Sequence, residues 1–360
     1  MRHCIACNFP KTPEHRTGGM GETLQRLWYS DRRPLAWLKP LAWLYGRLVK
    51  QRWQAYRNGH RHVHHSPLPV LVVGNITVGG TGKSPFTAWL VAHLAAAGWR
   101  PVILSRGYGA KPEHCPCLVG PDSDPETCGD EPVMLAQQTG VPVLVDPERA
   151  RAAVYAEQQQ LGDVLVCDDG LQHYALGRTL EFCIFDGARG IGNGSLLPVG
   201  PLREPLQRLD AVDFCLVTGE PEHASFRDGL PVAHPLHRVT LVPQGLRNLK
   251  SGESRSLTWL QGRVVNGVAG IGNPARFFDT LDGLGASVIP HPFDDHHRFR
   301  AGELAFSHGP VVMTAKDGVK CRAIASEDVW VLDVIARPDD ALVAALDQQL
   351  EQPGKDRPHG

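Results

Sequence analysis

From residue 70 onward, short apolar runs alternate with longer stretches whose apolar residues recur at helical spacing. Runs at 70–73, 102–104, 143–145, 164–167, 182–185 and 214–217 read as strands, and 84–97, 132–138 and 148–159 read as helices between them. The strand runs are apolar at every position rather than at every second one. That pattern belongs to strands covered on both faces, so it predicts an α/β fold with a mostly parallel sheet and helices on both sides. Pro85 falls in the first turn of its helix, and Pro142 just precedes its strand; both positions tolerate proline. A second unit repeats the alternation, with strands at 264–268, 287–289, 311–313 and 329–332 and helices at 274–284, 302–307 and 341–350. Between the units, 221–262 reads as a linker with one β segment at 239–242, which Pro243 is expected to end.

The first 57 residues do not follow this pattern. Residues 1–21 are polar and contain Cys4 and Cys7, a single CxxC pair that is half of a zinc site; they read as a loose extension, and Met20 is a second candidate start. Residues 22–57 hold four of the eight tryptophans (Trp28, Trp37, Trp43 and Trp53), eight basic side chains and two acidic ones. Tryptophan and leucine interspersed with arginine and lysine are the marks of a helix lying in an anionic membrane surface. Lys39 and Pro40 are expected to divide it into two short helices. His60, His62, His64 and His65 then lie in a linker. The remaining divisions are 66–220, 263–350 and a tail at 351–360.

Composition narrows the function. With 37 basic and 38 acidic residues among 360, the net charge of −1 gives no field for nucleic acid. No run of 18 apolar residues exists, so a spanning helix is not expected, and no long apolar core marks a secretory signal. The nine cysteines are scattered through strands and loops, which suits free thiols in a reducing compartment. Nothing points to an obligate protein partner.

The chemistry begins at Gly74-Asn75-Ile76-Thr77-Val78-Gly79-Gly80-Thr81-Gly82-Lys83-Ser84-Pro85, with a strand before it and a helix after it. Glycines let backbone N–H groups curl round phosphate oxygens, and the helix N-terminus adds its dipole. This is a P-loop reading: Thr77 to Ser84 would cradle ATP phosphates, Lys83 would reach the β/γ-phosphates, and the Ser84 hydroxyl would ligate Mg²⁺. Thr77 stands where the strict consensus has glycine, and the Gly79-Gly80 pair compensates. An apolar strand ending in Asp168-Asp169 is a Walker-B arrangement for the same Mg²⁺. Adjacent side chains at a strand end face opposite ways, so the two acids need not share a role.

Further clusters are more particular: SRGYG at 105–109, GDEP at 129–132, DDGLQH at 168–173, GPLRE at 200–204, DDHHRF at 294–299 and TAKDGVKC at 314–321. Together with the phosphate loop and the Trp/Arg-rich segment, from about residue 22 to about residue 350, they resemble the tetraacyldisaccharide 4′-kinase family of lipid A biosynthesis. Ser84 stands where threonine is usual in such loops, and the hydroxyl is kept. The resemblance implies a P-loop NTPase-like sheet with a smaller C-terminal α/β unit. It implies transfer of the ATP γ-phosphate to the 4′-hydroxyl of a tetraacyldisaccharide 1-phosphate at the cytoplasmic face of the bacterial inner membrane, giving lipid IVA. It makes Asp130 the candidate base and His296, from the second unit, the group that orients it. Glu204 and Arg106 are weaker candidates for metal, nucleotide or phosphate contacts. Another P-loop small-molecule kinase would explain the loop and the Asp pair but not the Trp/Arg segment. A non-catalytic nucleotide switch that docks on membranes needs no Asp130–His296 pair.

Overall fold

A computed structural model describes residues 27–29, 35–227, 229–230 and 235–351. The extension at 1–21, with Cys4 and Cys7, and all but Glu351 of the tail lie outside the described residues.

The first helix, α1, spans Lys39–Arg57 as one piece, after a single 3₁₀ turn at Ala36–Leu38. Pro40 sits in its first turn, where the missing N–H has no partner to lose, so it starts the helix and does not divide it. Tyr45 reaches down to the Arg203 carbonyl at 2.9 Å, and Ala42 is buried, while Trp37, Leu41, Trp43, Leu44 and Leu48 face outward. Trp28, assigned by its composition to the same surface, is instead buried, with its indole N–H bonded to the Pro198 carbonyl at 3.0 Å. Among the described residues no helix is long and apolar enough to cross a membrane.

The body is one thirteen-stranded sheet. Its first half runs β1 (Val70–Gly74), α2 (Lys83–Ala96), β2 (Pro101–Ser105), β3 (Cys117–Val119), α3 (Asp130–Thr139), β4 (Val143–Val145), α4 (Arg149–Gln158), β5 (Val164–Cys167), β6 (Leu180–Asp186) and β7 (Phe214–Thr218). These strands pair in the order β7-β6-β1-β5-β2-β4-β3, parallel except for β3 at the edge. Alternate residues of β1 feed the two faces. Leu71 and Val73 pack with Phe86, Leu90 and Leu94 of α2, and Val70 and Val72 pack with Ala152, Ala153 and Ala156 of α4. This explains the uninterrupted apolar runs.

The second half follows: β8 (Leu236–Asn248), β9 (Ser254–Arg255), β10 (Val264–Ala269), α5 (Pro274–Gly283), β11 (Ser287–Pro292), β12 (Val311–Thr314), α6 (Ala315–Cys321), β13 (Val329–Pro338) and α7 (Asp340–Leu350). The stretch at 302–307 forms only a 3₁₀ turn, Ala301–Leu304. Strand β8 is far longer than its apolar tetrad and runs straight past Pro243. The register against β13 shifts there, and β7 has already left β8 at Val239, so a residue without an N–H costs no bond on the open side. Its start pairs in parallel with β7, and its remainder pairs antiparallel with β13. The segment between the halves is thus the strand that joins them. Because that joint is antiparallel, the β13-β12-β10-β11 strands point back toward the first half, and the carboxyl ends of both strand sets meet at one cleft. Helix α7, grouped by sequence with the C-terminal unit, returns to the first half's core through Leu342 and Leu346, and His93 on α2 meets Asp347 at 2.7 Å.

Leu216 is fully buried on β7, beside the joint, and Ile335 on β13 is 44% exposed. Leu216→Ala is expected to lower unfolding free energy by about 2–5 kcal/mol in urea titrations, against less than about 0.5 kcal/mol for Ile335→Ala.

Candidate active site

The functional groups gather at the carboxyl ends of strands, in the loops there or at the starts of the helices beyond. After β1 the chain first pairs with a neighbouring loop: the Val78 N–H donates to the Pro201 carbonyl at 2.9 Å, and the Arg203 N–H donates to the Ile76 carbonyl at 2.7 Å. Thr77 is buried against Leu202 in the same short ladder. The phosphate-cradling role expected for Val78 is therefore not supported, since its donor is already spent on backbone, and the Thr77 side chain is buried. The usable loop is Gly79 to Ser84. It is held from beneath by the Asn75 side-chain amide, which donates to the Gly79 carbonyl at 3.2 Å, and by the Thr218 hydroxyl, which donates to the Thr81 carbonyl at 3.0 Å. Gly82 turns into α2 with φ of 83°, a left-handed conformation that suits glycine. Lys83 and Ser84 then open the helix.

The Asp pair, just past the end of β5, divides. Asp168 points inward and accepts a hydrogen bond from the Thr87 hydroxyl of α2 at 2.9 Å. Burial, with Glu131 and Asp169 nearby, pushes its carboxyl up to about 7. Asp169, at a left-handed φ of 50°, turns the other way, toward Lys83 at 3.5 Å and Arg203 at 3.4 Å. Burial would raise its carboxyl too, but Lys83, Arg203 and Arg149 together hold it at about 2. Asp168 has no ion-pair partner among the described residues, whereas Asp169 is already neutralised by its partners. The donor set here consists of carboxylates and the Ser84 hydroxyl. In addition, the buried Asn75 Oδ1 has no hydrogen-bond partner among the described residues. Hard oxygen donors beside an uncompensated buried carboxylate fit Mg²⁺.

Across the cleft, the residues implied as base and orienter come together. His296 Nδ1 lies 3.0 Å from one Asp130 oxygen and 3.2 Å from the other, although 166 residues separate them. Gly129, with φ of 92°, sets Asp130 at the head of α3, where one of its oxygens also accepts the Glu131 N–H at 3.0 Å. His296 sits at a left-handed φ of 63° in the loop after β11, a conformation uncommon for a non-glycine residue and one that turns its ring into the cleft. Burial would raise the Asp130 carboxyl, but the hydrogen bond from His296 and the charges of Lys316 and Lys320 bring it below the ordinary value. The bond to Asp130 holds the His296 imidazole above its ordinary value, against burial and Lys316. Tyr108 of SRGYG packs its ring against His296, centroids 5.1 Å apart. The two halves are already in contact, since a Cβ on Gly272 would lie 3.2 Å from the Gly80 nitrogen and 3.9 Å from Asp295 Oδ2.

Two weaker candidates stand elsewhere. Glu204 is buried beneath α1, where it accepts from the Gln172 amide at 2.8 Å and lines a cavity of about 320 Å³ with Trp43, Trp53 and Tyr174. Among the described residues its hydrogen bond runs to Gln172, whose amide also reaches the Asn75 carbonyl, so the observed link to the loop is indirect. Arg106 is exposed at the end of β2 and makes no ion pair among the described residues. Sequence reading missed Arg203, Lys316 and Glu131 as site groups. Arg203 and Glu131 were visible only as neighbours of Glu204 and Asp130, and Lys316 only as part of TAKDGVKC.

Comparisons with known proteins give the family of the chain. A family model described as LpxK, tetraacyldisaccharide-1-P 4′-kinase, matches residues 34–351. A tetraacyldisaccharide 4′-kinase of Pseudomonas paraeruginosa is 48% identical over 334 residues, covering 92% of this chain and 97% of its own. Another, from Pseudomonas fluorescens, is 46% identical over 333 residues, covering 92% and 96%. The crystal structure of LpxK from Aquifex aeolicus in complex with ATP superposes with a TM-score of 0.73 at 26% identity, covering 87% of this chain and 97% of that one. With the match running from α1 to the end of α7, this chain belongs to the tetraacyldisaccharide-1-phosphate 4′-kinase family.

Proposed function

We propose that this chain transfers the γ-phosphoryl group of ATP to the 4′-hydroxyl of a tetraacylated glucosamine disaccharide 1-phosphate, giving the bisphosphorylated lipid IVA and ADP. The observation that carries the reading is the Asp130–His296 pair, assembled from both halves at the cleft that also holds the phosphate loop.

The loop from Gly79 to Ser84 binds the ATP phosphates, and Lys83 adds a positive charge beside them. Ser84 and Asp168 would hold Mg²⁺, which would supply charge neutralisation for the transferring phosphoryl group. Asp169 keeps Lys83 and Arg203 in place. Asp130 receives the hydrogen bond of the sugar hydroxyl and then its proton, as the oxygen–phosphorus bond to the sugar forms and the bond to ADP breaks. A carboxylate held below its ordinary proton affinity can do this because the proton leaves late in a loose transition state, where positioning dominates. His296 orients Asp130. Contact between the halves excludes water that would otherwise take the phosphoryl group.

A substrate with four acyl chains leaves a bilayer only at a cost of about 0.8 kcal/mol for each buried CH₂. The enzyme therefore works at the anionic cytoplasmic face of the inner membrane, as a peripheral protein. Support for this comes from α1, where Trp43 is 63% exposed alongside Leu41, Leu44 and Leu48, and from the turn before it, where Trp37 is 75% exposed.

These assignments can be tested in three ways. With labelled ATP and the lipid acceptor in detergent micelles, Asp130→Asn is expected to lower kcat about 10²–10⁴-fold, with ATP affinity measured by calorimetry nearly unchanged. Equal turnover in the variant would remove Asp130 from the reaction. The raised Asp168 carboxyl contributes stability that is fully present below its unfolded value and is lost as pH rises through about 7. In EDTA, Asp168→Asn should therefore match the parent Tm near pH 4 and exceed it at pH 8, with the difference opening between those values and levelling off above about pH 7. Finally, Trp37→Ser combined with Trp43→Ser should weaken sedimentation with anionic vesicles by roughly tenfold while leaving the circular dichroism spectrum intact; undiminished binding would refute the membrane role of α1.

A further inference from the structure

Lys316 opens α6, at the carboxyl end of β12, and its side chain is almost entirely enclosed. Its ammonium lies 3.0 Å from Glu131 Oε1, 3.0 Å from Asp295 Oδ1 and 3.3 Å from His296 Nε2. An ammonium has three hydrogens to donate and no lone pair to accept with. Here three donors meet three groups, drawn from both halves of the molecule: Glu131 from α3, Asp295 and His296 from the loop after β11.

The contact with His296 is the informative one. Two nitrogens 3.3 Å apart form a hydrogen bond only if one carries a proton and the other a lone pair. Glu131, Asp295 and Asp130 outweigh burial and hold Lys316 above its ordinary proton affinity, so the lysine is the donor. Nε2 must then be bare. The imidazole proton is left on Nδ1, which faces the Asp130 carboxylate at 3.0 Å. A free imidazole in water exchanges between its tautomers, whereas the hydrogen bonds on both nitrogens select one here.

We propose that Lys316 is a positioning residue that fixes His296 as the Nδ1–H tautomer donating to Asp130. The proposal rests on the Asp130–His296 reading above and adds the group that orders it. The tautomer directs one defined hydrogen bond at Asp130 and leaves the remaining lone pairs of that carboxylate for the sugar hydroxyl. The bond from Lys316 to Glu131 makes the same ammonium a clasp across the cleft. The other charged or polar groups facing His296 are Asp130 on α3, Asp295 beside it and Tyr108 from the loop after β2, while Glu131 reaches Lys316 and Lys320 on α6 lies 3.9 Å from Asp130.

The test is the ¹⁵N spectrum of histidine-labelled full-length protein, with His296 assigned by difference from His296→Gln. At pH 8–9 the parent should show a protonated Nδ1 and an unprotonated Nε2. In Lys316→Met the ring should admit the Nε2–H form, and its titration midpoint should rise by on the order of one pH unit once the neighbouring charge is gone. The kcat should fall roughly 10- to 100-fold with KM for ATP unchanged. An Nε2–H signal in the parent, or an unmoved midpoint in a folded Lys316→Met protein, would overturn the proposal. The parent spectrum alone decides the tautomer, so the test survives a variant that fails to fold. It also involves no phosphoryl transfer, so a different acceptor would defeat the kinase reading and leave the tautomer result standing.

Discussion

The cleft exists because β8 and β13 pair antiparallel. A parallel sheet gathers its chemistry at the carboxyl ends of its strands, where loops lead into helix N-termini. Two parallel units set side by side in the same sense would line up their loops along one rim. Here β8 begins in the first unit and runs on beyond its edge, and β13 comes back along it. The second unit is thereby inverted, and its carboxyl ends confront those of the first. The phosphate loop, Asp168 and Asp130 then stand on one wall, with His296 and Lys316 on the other. The return of α7 to the first core fastens the inverted unit at its far end.

Within that cleft, electrostatics separates acids that look equivalent. Asp168 and Asp169 are neighbours in sequence, yet one carboxyl is driven up to about 7 and the other down to about 2. The difference lies in which face of the strand end each occupies: one looks into the core toward Thr87 and Glu131, and the other looks at Lys83 and Arg203. Asp130 resembles Asp169, a buried carboxylate kept charged by cations, but its cations arrive from the other half of the molecule. Its state therefore depends on closure, and that of Asp169 does not. Lys316 ties these facts together, because a single ammonium satisfies an acid from each half as well as the histidine between them.

Much of this was legible in the chain. Strand runs that are apolar at every position announce burial on both faces whatever the neighbours, and glycine spacing before Lys83-Ser84 announces a phosphate loop, because both are local consequences of backbone geometry. The Walker-B acid is likewise marked by its strand. Other elements left weaker traces. The continuation of β8 through Pro243 carries no apolar signal, since its residues there are half-exposed and paired on one side only. The single α1 helix was concealed by Pro40, whose effect depends on whether a helix already precedes it. Trp28 and Glu204 carried the right residue types for surface and site, yet Trp28 is buried against a loop far along the chain and Glu204 lies beneath α1.

The properties settled by sequence alone are those that need only neighbours along the chain: the alternation of strand and helix, the phosphate loop, the acid-ended strand, and the cluster of motifs that identifies the family. Relations between groups brought from different places had to wait for the folded molecule. These are the inversion of the second unit, the opposite fates of Asp168 and Asp169, the pairing of Val78 with a neighbouring loop, the burial of Glu204 beneath α1, and the role of Lys316. The physical reason is that proton affinity and hydrogen-bond direction are set by atoms within a few ångströms. For a residue such as His296, those atoms belong to side chains 166 and 20 positions away.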